Sequence, residues 1–197
     1  MKPYSYSPRA VAQSFEALKK KQLQQQQSQQ ASALATSSSV SSSSTNNVDG
    51  SFMVAAIQLS AEGDEKNTLE GFWKRAQTSI REAAAKGARL ILLPELFIGP
   101  YFCQSQEACL MEFADAEDAS FIIAEMQKLA KELQCCLPIS FYERRNNALF
   151  NSLVMIDADG SNLGVYRKSH IPDGTGYQEK FYFSPGMVRM YGMFLGF

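Results

Sequence analysis

Beyond residue 50 the chain falls into blocks whose hydrophobic period changes from one to the next. Phe52 to Leu59 (FMVAAIQL) is a continuous apolar run between Gly50 and the polar stretch starting at Ser60, which predicts a short buried strand. The next block reads differently. Behind Asn67, a residue suited to an N-cap, Leu69, Phe72, Trp73, Ala76, Ile80 and Ala84 recur at helical spacing, and the segment closes at Gly87. An amphipathic helix is expected there. Arg89 to Leu93 is again apolar and runs into Pro94 and Glu95, so a second strand delivers Glu95 to its carboxyl end. Ala119 to Leu133 repeats a helical stripe through Ile122, Ile123, Met126, Leu129 and Leu133, and a third strand is expected over Cys135 to Tyr142. Asn151 to Ile156 and Leu163 to Arg167 read as two further strands across Asp157-Ala158-Asp159-Gly160, whose Asp-Gly pair signals a hairpin.

The resulting order, β-α-β-α-β-β-β, places the chain in the α/β class, with a partly parallel central sheet carrying helices on one face. In such sheets ligands collect in the crevice at the carboxyl ends of strands, where Glu95 and Lys168 both fall. Residues 1–50 share none of this patterning. They contain a glutamine run (Gln24 to Gln27) and a serine run (Ser41 to Ser44) and almost no large aliphatic residues, so burial cannot offset their ordering entropy and a disordered tail is expected.

Charge narrows the partners. The 197 residues carry 19 basic and 20 acidic side chains in mixed order, which argues against a nucleic-acid surface or an anionic-membrane patch and favours a small-molecule ligand. No apolar run is long enough for a membrane helix, and the leader lacks the apolar core of a secretory signal. A serine-rich transit peptide is the alternative, with Arg9 its only arginine. The cysteines, Cys103, Cys109, Cys135 and Cys136, show no CxxC spacing and share the chain with one histidine, His170. Neither a metal site nor a disulfide framework is expected, and a reducing, cytoplasmic setting fits best.

Several residues could carry chemistry. Glu95, after four apolar residues and Pro94 and before Leu96-Phe97, is expected among aromatic side chains, where burial would raise its pKa and suit it to general-base work. A surface glutamate paired with an arginine fits the same local sequence. Lys168 ends a strand and could stabilise an oxyanion, or be an ordinary solvated lysine. His170 could activate Cys103 as a Cys-His dyad, although cysteines are more often small buried hydrophobes. Glu179, within the aromatic run Tyr177 to Phe183, could orient Lys168 or stand on the surface.

Taken together, LILLPELFIGPYFCQ and DADGSNLGVYRKSHIPDGTGYQEKFYFSPG resemble the nitrilase, or carbon–nitrogen hydrolase, superfamily over residues 52–186. Within it, the resemblance is to the branch that hydrolyses N-carbamoylputrescine. It implies a four-layer α-β-β-α sandwich and a Glu-Lys-Cys triad that cleaves amide-like C–N bonds through a thioester, with no metal or organic cofactor. Glu95 then matches the general base, Lys168 the residue that stabilises the tetrahedral intermediate and serves as proton donor, and Glu179 the second glutamate that holds the lysine. Tyr101 and His170 fall in segments expected to contact the substrate, and relatives of full length are expected to form homo-oligomers.

The nucleophilic cysteine of that triad should lie on a strand beyond the lysine, yet no cysteine follows Cys136, and residues 187–197 read as a divergent tail. Cys103 is a poor substitute. The expectation is therefore an incomplete sandwich from a truncated product, inactive as it stands, with an apolar sheet face exposed to association. A catalytically dead regulatory subunit of the same fold, or an enzyme for another amide or a nitrile, are the competing readings.

Overall fold

The computed structural model describes residues 51–59, 69–99, 101–115 and 120–187, together with Lys20. The expected tail over 1–50, the Asn67 cap and most of the 187–197 segment lie outside the described residues. The chain divides into two units, Met1–Phe52 and Met53–Phe197, and every element that follows belongs to the second.

Strand β1 (Met53–Ala56) pairs in parallel with β2 (Ala88–Leu92), and helix α1 (Leu69–Ala85) forms the crossover between them. The helix buries the stripe that its sequence marks, Leu69, Phe72, Trp73, Ala76 and Ile80, and Gly87 follows it at φ +94, a conformation open to glycine at little cost. Helix α2 (Phe121–Leu133) starts at Ser120, whose Oγ accepts from the Ile123 N–H at 3.4 Å. It stops at Gln134, which takes the left-handed conformation at φ 52. The two helices lie side by side: the Trp73 and Phe121 rings meet at a tilt with centroids 6.0 Å apart, and Arg81 pairs with Glu132 through two hydrogen bonds.

Strands β3 (Leu137–Arg145), β4 (Ala148–Ile156) and β5 (Asn162–Arg167) form an antiparallel meander. The start of this meander joins the parallel pair: Cys136 N–H donates to Arg89 O at 2.7 Å and Ile91 N–H to Cys136 O at 3.0 Å. The order across the molecule is thus β1-β2-β3-β4-β5. The Asp157–Gly160 turn joins β4 to β5, and its Gly160 is irreplaceable on steric grounds, since a Cβ there would stand 2.7 Å from the Gln127 carbonyl oxygen.

A second hairpin went unmarked in the sequence pattern. Strands β3 and β4 run past their expected limits to the Arg145–Ala148 pair, turning through Asn146 at φ 53 and Asn147. The charged Glu143-Arg144-Arg145 run breaks the apolar signal, but cross-strand pairing supplies the stability that composition does not announce.

One face of the sheet packs on the helices, with Ile91, Leu137, Ile139, Val154 and Ile156 fully buried. The described residues therefore form two layers, helices on sheet, as one half of a four-layer sandwich would. Val54, Leu92 and Tyr166 are exposed at 60%, 46% and 49%, so β1, whose apolar run predicts a buried strand, is open to solvent.

Replacing Ile139 with alanine should cost about 2–5 kcal/mol in a urea melt, because it opens a cavity between sheet and helices, whereas Tyr166→Ser should change stability by less than about 0.5 kcal/mol.

Candidate active site

The site is assembled from three segments that arrive at one end of the sheet. The first leaves β2. After Leu93 and Pro94 the chain reverses at Leu96, which takes φ 50 in the left-handed region, and the Leu96 N–H donates to Ser140 Oγ of β3 at 3.0 Å. This reversal sends Leu96 and Phe97 into the core and leaves the Glu95 side chain half exposed, at 50%. The expected burial of Glu95 among aromatic rings is not what the described residues show: the rings turn inward and the carboxylate outward.

The second segment is the end of β5. Lys168 follows Arg167 directly, and its N–H donates to Asn151 O of β4 at 2.9 Å, which extends the ladder by one residue. The third is the strap from Tyr177 to Gly186, which returns across the sheet end. Its backbone is tied by Gln178 N–H to Cys103 O at 2.7 Å, Ser184 N–H to Leu149 O at 2.7 Å and Gly186 N–H to Lys168 O at 2.8 Å. A Cβ on Gly186 would meet the Arg167 carbonyl oxygen at 2.3 Å, so the close return requires glycine. Phe102, Tyr142, Tyr182 and Phe183 pack edge to face beneath the strap, with Phe102–Tyr182 and Tyr142–Phe183 centroids 5.0 and 5.1 Å apart. That cluster buries Glu179 at 2% exposure.

Lys168 is where these segments meet. Its Nζ donates to Glu95 Oε1 at 3.0 Å and to Glu179 Oε2 at 2.8 Å. The other oxygen of Glu179 accepts from the Tyr101 hydroxyl at 2.8 Å, and Glu95 Oε1 also accepts from Asn151 Nδ2 at 2.6 Å. Partial burial pulls the Lys168 pKa down, but the hydrogen bonds to the two carboxylates outweigh it and hold it above the ordinary lysine value. The ammonium is thus a fixed positive charge, flanked by one buried and one accessible carboxylate. Tyr101 is held protonated by burial and by Glu179.

Cys103 and His170 do not form a dyad. Cys103 is fully buried among Leu96, Tyr142, Tyr182 and Phe183, and burial together with Glu179 pushes its thiol up to about 12. His170 stands exposed in the loop after β5, outside the hydrogen-bonded cluster. Tyr101 reaches Glu179 through its hydroxyl. Among the described residues, no three His, Cys, Asp or Glu side chains gather so as to hold a metal ion, and no helix is long and apolar enough to cross a membrane.

Sequence reasoning missed Asn151, read only as the first residue of a strand, and a buried ion pair behind the site. Glu143 of β3 is fully buried; it accepts from Arg167 Nε at 2.6 Å and from Ser152 Oγ at 2.6 Å, and Arg167 lies over the Phe150 ring at 4.8 Å. Strand register makes this pairing possible, since Phe141 and Arg167 both face Ser152. The only signal in the sequence is a set of polar residues near strand ends, which many surface strands share.

Comparison with known proteins identifies the family and the fold. The profile of the family described as carbon–nitrogen hydrolase matches residues 53–195. The chain is 50% identical over 133 residues to an N-carbamoylputrescine amidase of Oryza sativa, covering 68% of this chain and 43% of that protein. It is 48% identical over 133 residues to a citrullinase of Francisella tularensis, covering 68% and 45%. A crystal structure of a carbon–nitrogen hydrolase from Helicobacter pylori superposes with a TM-score of 0.58 at 31% identity, covering 70% of this chain and 44% of that one. A crystallised amidase from Nesterenkonia shares the fold, with a TM-score of 0.57 at 23% identity over 74% and 52%. The match spans less than half the length of these two curated relatives.

Two outcomes follow from the site. Under native conditions near pH 8, iodoacetamide should modify the exposed Cys109, while Cys103, Cys135 and Cys136, all buried and pushed up to between about 11 and 12, react only after denaturation; peptide mass spectrometry reads the pattern. Because the folded state binds the Lys168 proton more tightly than the unfolded state, that contribution to stability is complete below the ordinary lysine pKa of about 10.4 and is lost as pH rises through the higher folded value. Urea melts between pH 8 and 11.5 should show a steeper alkaline loss in the wild type than in Lys168→Met.

Proposed function

Since the chain belongs to the carbon–nitrogen hydrolase family, we propose that Glu95, Lys168 and Glu179 are the acid–base part of an amide-hydrolysing site whose substrate ends in a ureido group, –NH–CO–NH2. N-carbamoylputrescine is the substrate that fits best. The observation that carries the reading is the single Lys168 ammonium held by two carboxylates at 3.0 and 2.8 Å. The names of the similar proteins point the same way, because N-carbamoylputrescine and citrulline share the ureido end and differ in what the far end carries.

In this reading each group has one task. Glu95, half open to solvent, takes the proton of a thiol nucleophile and later that of water. Lys168 stabilises the developing oxyanion of the tetrahedral intermediate, and the proton that Glu95 took from the thiol passes to the departing ammonia. Glu179, buried and bonded by Tyr101, holds the ammonium in place. Tyr101 and His170 are assigned as substrate contacts. The overall step adds one water to the ureide and releases putrescine, ammonia and carbon dioxide.

None of the four thiols fits the nucleophile's role. Cys103, Cys135 and Cys136 are buried and Cys109 lies on the exposed 3-10 turn Ala108–Phe113. We therefore expect this chain by itself to engage a ureide without hydrolysing it, as a non-catalytic form of the fold would. Four free thiols fit a reducing, cytoplasmic setting.

The test pairs binding with turnover. Titration of the purified chain with N-carbamoylputrescine should shift NMR signals of Lys168 and Tyr101 saturably, Lys168→Met should abolish the effect, and a coupled assay should detect no ammonia. Binding of a nitrile or an ω-amide in preference to the ureide would overturn the substrate class, and ammonia release that disappears in Cys103→Ser would overturn the expected inactivity.

A further inference from the structure

We propose that Asn151 is the positioning residue that turns Glu95 into a base with one available oxygen. The inference rests on the reading of Glu95 as the base. Asn151 is 4% exposed and lies in β4, opposite Tyr142 of β3. It acts in two directions at once: its Nδ2 donates to Glu95 Oε1 at 2.6 Å, and its carbonyl accepts the Lys168 N–H at 2.9 Å. A single buried residue therefore ties the side chain of one charged group to the backbone of the other.

The consequence for Glu95 lies in how its two oxygens are used. Oε1 accepts from both Asn151 Nδ2 and Lys168 Nζ, whereas Oε2 accepts no hydrogen bond from the described residues. An oxygen whose two lone pairs both accept hydrogen bonds is a poor proton acceptor, so the reacting proton goes to Oε2. The carboxylate is 50% exposed and immediately precedes the left-handed turn at Leu96, so packing alone does not fix its rotation. The Asn151 amide does. Lys168 cannot substitute for it, since a flexible ammonium shared with Glu179 constrains distance more than orientation.

Substitution by aspartate separates this role from a packing role. Asn151→Asp keeps the volume but replaces the donor by a second carboxylate beside Glu95 Oε1, whereas Asn151→Ala removes volume and donor without adding charge. Both are compared with wild type by the Glu95 13Cδ and Lys168 15Nζ chemical shifts of the ligand-free chain at pH 7. Asn151→Asp is expected to move both signals, and further than Asn151→Ala does; signals left at their wild-type positions in the folded Asp variant would overturn the proposal.

Should the Asp variant fail to fold, Glu95→Gln provides the same test from the accessible side. It removes the negative charge at a half-exposed position, and the Asn151 Hδ2 resonance should move upfield as its charge-assisted bond weakens. An unmoved resonance would refute the assignment. Neither measurement needs substrate or turnover, so failure of the ureide reading would leave this result intact, and the reverse holds as well.

Discussion

Two carboxylates share one ammonium at the end of this sheet, and much of the surrounding fold acts to keep them there. A carboxylate buried at 2% exposure calls for a counter-charge, and Lys168 supplies it to Glu179 at 2.8 Å. The same ammonium reaches Glu95, which comes from a different strand and a reversed turn. Removing the lysine would leave a buried charge unpaired beside a second charge of the same sign. The three groups are therefore one electrostatic unit, and none has its present character alone.

The backbone devices around the unit follow from that requirement. The turn at Leu96 places a non-glycine residue at φ 50, a conformation that costs of order 1–3 kcal/mol, and Ser140 caps its N–H. The strap over the site returns so closely to β5 that only glycine fits at 186. Behind the sheet, Arg167, next in sequence to Lys168, is held by the buried Glu143. Pairing on the helix-facing side thus fixes the strand end whose next residue reaches the opposite side. Cys103 shares the aromatic cluster under the strap, and the burial that completes the packing there keeps its thiol protonated.

Much of the architecture was legible in the chain itself because it depends on local pattern. The stripe from Leu69 to Ile80 marks α1 unambiguously, since a period of 3.6 over several turns has no alternative that buries the same residues. The apolar runs leading to Glu95 and Lys168 marked both as strand-end residues, and the specific run from Arg167 to Phe183 linked them to a known family. The hairpin at Asn146 was not legible, because its flanking strands carry charges that read as surface until a partner strand covers them.

The chain's residues by themselves determined the α/β class, the helix faces and the identity of the two charged groups, because those rest on periodicity and on residue type. Tertiary structure alone decided their environment. It left Glu95 half exposed instead of buried, made Glu179 the buried partner, set Cys103 apart from His170, and brought Asn151 to Glu95 across 56 positions of sequence. The reason is physical. Which way a side chain turns at a strand end, and what desolvates it, depends on a backbone reversal and on segments packed from elsewhere, and neither leaves a periodic trace in the neighbouring residues.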